Sequence, residues 1–115
     1  MAKEYNLEKR TTDFAKSVIR LCKKLPSNPI NERIVGQVVG ASGSVGANYR
    51  EANDALGKKD FVHCLKIARR EAKECMHWLE LILEANADVK IEIEPLLKEC
   101  EELKNILSAI INKSE

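Results

Sequence analysis

Aromatic residues are nearly missing from this chain: two Phe, two Tyr and a single Trp make up 4% of its 115 residues. Sheets draw on aromatic and β-branched side chains, so their scarcity beside abundant Leu, Ile, Ala, Glu and Lys points to packed helices. Long apolar runs are missing too. The longest uncharged stretch, Ile34 to Tyr49, includes Gln, Ser and Asn and falls short of the roughly 20 apolar residues a membrane span needs. No extended apolar segment follows the first lysines, so a signal peptide is not expected and the reading is a soluble, cytoplasmic protein. The cysteines Cys22, Cys64, Cys75 and Cys100 show no C-x-x-C spacing. Each falls in an apolar helical register, which reads as a buried free thiol and not as a metal ligand or disulfide partner. At 13.0 kDa one domain, residues 1–115, is expected, too small to hold a separate cofactor domain.

Four of the five glycines lie between Gly36 and Ala52, in a segment that nevertheless keeps helical periodicity. On a helical wheel Ile34, Val38, Ala41, Val45, Ala52 and Leu56 share one arc, and Gly36, Gly40, Gly43 and Ala47 share the opposite one. Each glycine costs a helix about 0.8–1 kcal/mol relative to alanine. Packing on both faces has to offset that cost. The expectation is a bundle helix whose bare side meets a second copy of the chain.

Three more helices frame this one. The first is expected to start at Thr11 or Thr12 and to stop before Pro26, with Phe14, Val18, Leu21 and Leu25 inward. Asn28 and Pro29 fit the cap and first turn of the second, which should run to about Leu56 and end on a left-handed Gly57. The third, about Lys59 to Asn86, repeats Phe61, Leu65, Ala68, Ala72, Cys75, Leu79 and Ile82 at spacings of four and three, a bundle seam. A second arc holds Ile67, Trp78 and Leu81, which with the glycine stripe is assigned to the subunit interface. The fourth is expected to start near Pro95 and to bury Leu96, Cys100, Leu103, Leu107 and Ile110. The fold class is therefore all-α, an antiparallel up-down four-helix bundle assembling as a homo-oligomeric ring.

Several chemistries can be weighed against this frame. Gly40, Gly43 and Gly46 match G-x-x-G-x-x-G, which in a small enzyme or nucleotide or cofactor binder would lie between a strand and a helix so that the backbone approaches a pyrophosphate. Here every neighbouring segment reads as helix. Asp60 with His63 and Glu74 with His77 have the spacing of di-metal bundle ligands. Both pairs lie on one helix, about 21 Å apart, so they cannot close one metal centre. Ser42 and Ser44 lack the strand-turn-helix context of a nucleophile elbow. No cofactor, metal or catalytic residue is assigned. Asn48, close to the aliphatic arc, is expected to anchor a polar network with Arg50, Glu51, Glu71 and Glu74 that ties the second and third helices in register.

Charge is uneven along the chain although the net is only +1. Residues 1–28 carry seven Lys and Arg against three Asp and Glu, and residues 84–115 carry four against eight. Lys16, Arg20, Lys23 and Lys24 on the first helix and Lys66, Arg69, Arg70 and Lys73 on the third are the candidate nucleic-acid contacts, since phosphate neutralisation needs clustered cations and a ring would multiply a modest patch. No aromatic platform is expected beside the lysines.

Thr11 with Phe14 and Ala15, the Leu25-Pro26 step, the block Ser44 to Ala52 reading SVGANYREA, Lys59-Asp60-Phe61, and Glu71 to Glu80 with Glu74, Cys75, Trp78 and Leu79 together form a pattern. It closely resembles the four-helix bundle proteins encoded in intervening sequences of bacterial 23S rRNA genes. The resemblance covers nearly the whole chain. It implies a small cytoplasmic bundle of antiparallel helices that assembles as a homopentamer, with no established enzymatic activity. Accessory proteins of diversity-generating retroelements look like distant relatives, and they bind nucleic acid and reverse transcriptase. RNA, or an RNA-handling protein, is accordingly the expected partner besides the chain itself, with no membrane and no metal. Where many members carry Arg-Ser before the small-residue block, this chain has Gly40-Ala41.

Overall fold

The computed structural model describes residues 6–115; Lys3 and Glu4, counted above in the basic first segment, lie outside them. Four helices account for most of these residues: α1 (Leu7–Lys23), α2 (Pro29–Asn53), α3 (Lys58–Ala85) and α4 (Lys90–Ser114), with a single 3₁₀ turn, Ala87–Val89, before α4. No strand occurs among the described residues. The bundle is elongated, 45 × 25 × 19 Å. Its most extensive contact is between α2 and α3; α3 also packs along α4, and α1 closes the group against α2 and, less extensively, α4.

Helix starts follow local chemistry. Asn28 accepts a hydrogen bond from the Asn31 amide at 2.8 Å, with Pro29 opening α2 as expected. The first helix starts earlier than expected, because Asn6, not a threonine, accepts from the Lys9 amide at 3.3 Å. Thr11 lies a turn inside α1, where its hydroxyl donates to the Leu7 carbonyl at 2.6 Å. That bond satisfies a buried hydroxyl without a cap.

Two other expected boundaries are corrected. The second helix ends at Asn53, and Gly57 has extended backbone, φ −155°, as the residue before α3. No described residue has positive φ. Leu56 therefore falls outside the helix and is fully exposed. The fourth helix starts at Lys90, with Pro95 in its sixth position on an exposed face. Ile93, upstream of the expected start, is fully buried, and Ile111 takes the inward place expected of Ile110.

The core is mostly the predicted stripes. Phe14, Val18 and Leu21 come from α1, Val38, Ala41, Val45 and Ala52 from α2, Leu65, Ala68, Ala72, Cys75, Leu79 and Ile82 from α3, and Cys100, Leu103 and Leu107 from α4. Burying each large aliphatic side chain contributes about 1.5–3 kcal/mol. Alanines at 68 and 72 are fully buried, which lets neighbouring backbones close on α3 along the α2 and α4 seams.

Candidate nucleic-acid interface

The four glycines of α2 divide into two kinds. At Gly46 a Cβ would meet Thr11 Oγ1 at 2.8 Å and Thr11 Cβ at 3.2 Å. This is a close approach of α1 to α2 inside one chain, closer than any side chain at 46 would permit. At Gly36, Gly40 and Gly43 a Cβ would meet nothing within 4 Å, and with Ala47 they form an exposed strip along α2. The nucleotide fingerprint is not present as a fingerprint. Gly40, Gly43 and Gly46 lie in the middle of one continuous helix, Pro29–Asn53, so their amides are engaged in the helix and do not open toward a phosphate.

The cations of α3 are brought together. The cations Lys59, Lys66, Arg70 and Lys73, interleaved with the imidazoles of His63 and His77, are all exposed and together recur at spacings of four and three, one ladder about 27 Å long on the outward face. Lys66, Arg69, Arg70 and Lys73 line a 710 Å³ hollow together with Glu74, His77 and Trp78. The expectation of lysines without an aromatic neighbour is thereby corrected. Trp78, assigned from sequence to a subunit seam, shares a wall with the basic cluster. Its ring stands 4.9 Å from that of His77 at 64°, edge to face, and its inner side packs on the core.

Not all of these cations are equally free. Lys66 Nζ pairs with Glu115 at 2.8 Å, and this hydrogen bond holds the Glu115 carboxyl below the usual carboxylate range. Arg69 donates to Ser108 Oγ at 3.3 Å. Among the described residues Arg70 and Lys73 have no ion-pair partner. The α1 set is more dispersed. Arg20 and Lys24 line a 230 Å³ hollow with Glu92, and Lys24 Nζ is 3.9 Å from that carboxylate; Lys16 and Lys23 are exposed along the same helix. Of the two candidate faces, α3 carries the concentrated charge.

The remaining assigned interface residues are Ile67, half-buried, and Leu81, 37% exposed. The expected polar network does not form within the chain. Asn48 turns its amide back to the Ser44 carbonyl at 2.9 Å, and Arg50 reaches Glu8 at 3.1 Å and Thr12 at 3.1 Å on α1. Glu51 is exposed. Burial foremost, and then the neighbouring Glu74 charge, push the Glu71 carboxyl up, the opposite of what a carboxylate held in a cationic network would show.

The buried amides that join α2 to α3 are Asn31 and Asn86. Each donates to the other's side-chain oxygen, at 3.0 and 2.8 Å. Asn31 also donates to the Pro26 carbonyl at 2.8 Å and Asn86 to the Ile82 carbonyl at 3.0 Å. Their signal was readable: Asn31 falls in the seven-residue row of Val38, Val45 and Ala52, and Asn86 in that of Leu65, Ala72 and Leu79. A polar residue in a buried heptad row is a register device. Arg10 is the other missed residue, binding Glu99 with two hydrogen bonds of 2.7 and 2.9 Å and Glu102 with one of 2.7 Å. The Glu99 bonds, working against burial, raise the guanidinium further.

All four cysteines are free. Burial raises the Cys22 and Cys64 thiols. For Cys75 a hydrogen bond with the neighbouring Cys100 thiol leads, followed by burial, in the same direction. Cys100 itself donates to the Ala72 carbonyl at 3.1 Å. A raised thiol of this kind favours the protonated form. Among the described residues no group of three or more His, Cys, Asp or Glu is placed to hold a metal ion, and no helix is long and apolar enough to cross a membrane.

Fold and surface together define a small all-α protein of four packed helices with a basic, tryptophan-walled hollow on one of them. The chain belongs to the 23S rRNA-intervening sequence protein family, whose model matches residues 3–109. It is similar in structure to a protein of unknown function from the S23 ribosomal protein family of Bacteroides thetaiotaomicron, with a TM-score of 0.79 and 30% identity over 90% of this chain and 96% of that one. No curated protein matches the sequence.

Proposed function

We propose that the chain is a non-enzymatic RNA-binding module, cytoplasmic, that works as a homo-oligomeric ring, a homopentamer, of antiparallel up-down bundles. The observation that carries the binding reading is the convergence of Lys66, Arg69, Arg70 and Lys73 on one hollow of α3, lined also by Glu74; among the described residues Lys66 alone of these cations is ion-paired, to Glu115. Concentrated positive charge on a chain of near-neutral balance fits a phosphate backbone.

The connections Lys24 to Asn28 and Asp54 to Gly57 are short enough to favour antiparallel neighbours. Asn31 near the start of α2 beside Asn86 at the end of α3 favours the same direction. For the ring, the support is the exposed strip of Gly36, Gly40, Gly43 and Ala47. Three glycines cost α2 about 3 kcal/mol relative to alanine, and among the described residues a Cβ at any of them would meet nothing within 4 Å beyond the adjoining turns of α2; a second copy laid against the strip would return that cost through close packing. A ring of bundles would repeat the α3 hollow around its circumference, raising avidity without new contacts. Four free thiols suit a reducing compartment.

The test is a salt titration of RNA association with wild type and with Arg69, Arg70 and Lys73 changed to Ala, singly. Each should weaken binding across sequences and lower the salt slope by about 1. The same titration on Lys16, Arg20, Lys23 and Lys24 changed to Ala measures the α1 face. Affinity unchanged by the α3 substitutions would overturn the reading.

A further inference from the structure

We infer that the α3 hollow takes single-stranded RNA, with one base stacked on the open side of the Trp78 indole and the adjoining phosphates on Arg70 and Lys73. The inference rests on the RNA-binding reading above and narrows its ligand. A double helix turns its base faces inward and offers a protein phosphates, sugars and groove edges, so a purely electrostatic duplex site gains nothing from an indole. An unstacked strand exposes a π-face at every base, and sites for such strands pair a basic track with an aromatic surface.

This hollow has both parts on one helix. Trp78 is half-buried, its inner side fixed against the core, so the ring is held in place before any ligand arrives. His77 stands edge-on to it at 4.9 Å and braces it from the same wall. Glu74 lies in the hollow as an acceptor for a base amino group. Arg70 and Lys73 are exposed and free of ion pairs among the described residues, whereas Lys66 is tied to Glu115 at 2.8 Å. The two unengaged cations are those to which a phosphate binds without displacing a carboxylate.

Trp78 is the only tryptophan, so its fluorescence reports on this hollow alone. The full chain is titrated with an eight-nucleotide single-stranded RNA, the same sequence as a duplex, the matching single-stranded DNA, and an abasic ribose-phosphate strand of equal length. The single-stranded RNA should quench the emission and bind about tenfold or more tighter than the abasic strand, the range a stacked base supplies. Trp78→Leu should lose that advantage while leaving duplex binding within about twofold, and Trp78→Phe should keep most of it. Duplex or abasic strand binding as tightly as single-stranded RNA, or binding without quenching, would overturn the inference; tighter binding of the DNA strand would overturn RNA as the ligand. The abasic comparison uses the wild-type chain, so it stands even where a Trp78 variant folds poorly. Failure of every strand to bind, or indifference to Arg70→Ala and Lys73→Ala, would instead remove the RNA-binding reading itself.

Discussion

A single absent methyl group sets the distance between α1 and α2. With alanine at 46 the new Cβ would sit 2.8 Å from Thr11 Oγ1, on a side chain held by its bond to the Leu7 carbonyl at 2.6 Å. Gly46→Ala should therefore destabilise the fold by about 1–3 kcal/mol in urea unfolding, despite the gain in helix propensity. Thr11→Ala in the same chain should recover part of that loss, which a double-mutant cycle would measure. At the other end of the bundle, Asn31→Ala leaves the buried Asn86 amide short of a partner, and a loss of about 1–3 kcal/mol is expected. Exposed charges act differently. The Glu115 carboxyl, depressed by Lys66, favours the folded state above the unfolded carboxylate value, and that contribution disappears as pH falls through the lower folded value. An NMR titration should find Glu115 below the usual carboxylate range in wild type and back within it in Lys66→Ala.

At the scale of the element, α3 was the most legible helix: its seam of Leu65, Ala68, Ala72, Cys75, Leu79 and Ile82 predicted its buried face, with Phe61 at its start only half-buried, and its extent to within a residue at each end. Periodicity is set by which side chains must leave water, and a long helix repeats that signal many times. Boundaries were less legible because they turn on one or two residues whose signals compete. Thr11 could cap, yet burial of Leu7 extends α1 back to Asn6. Gly57 could end α2, yet it opens α3 in extended backbone. Pro95 reads as a first-turn residue, but α4 begins five residues earlier. Within a helix Pro95 lacks one backbone donor and crowds the preceding turn. Since residue 95 is exposed, Pro95→Ala should raise the unfolding midpoint, by up to about 3 kcal/mol in stability, with unchanged near-UV spectra as the check on folding.

For the whole molecule, four helices and one core were readable from apolar spacing, and the candidate site only in part. The basic residues of α3 were identified, but Trp78 was separated from them, because a wheel places it on a different arc and cannot show that both arcs open on one hollow. The polar lock was expected at Asn48 and lies at Asn31 and Asn86. A wheel shows which face a residue shares, while its partner depends on how two helices are aligned along their lengths. Gly36, Gly40 and Gly43 are the basis of the proposed assembly: they weaken α2, and among the described residues a Cβ at any of them would meet nothing within 4 Å beyond the adjoining turns of α2 itself. Light scattering on wild type and on Gly40→Leu, with helix content followed by circular dichroism, tests that directly. The account predicts a particle of about five times 13.0 kDa for wild type and a smaller one, equally helical, for the variant. A wild-type particle of 13.0 kDa would contradict it.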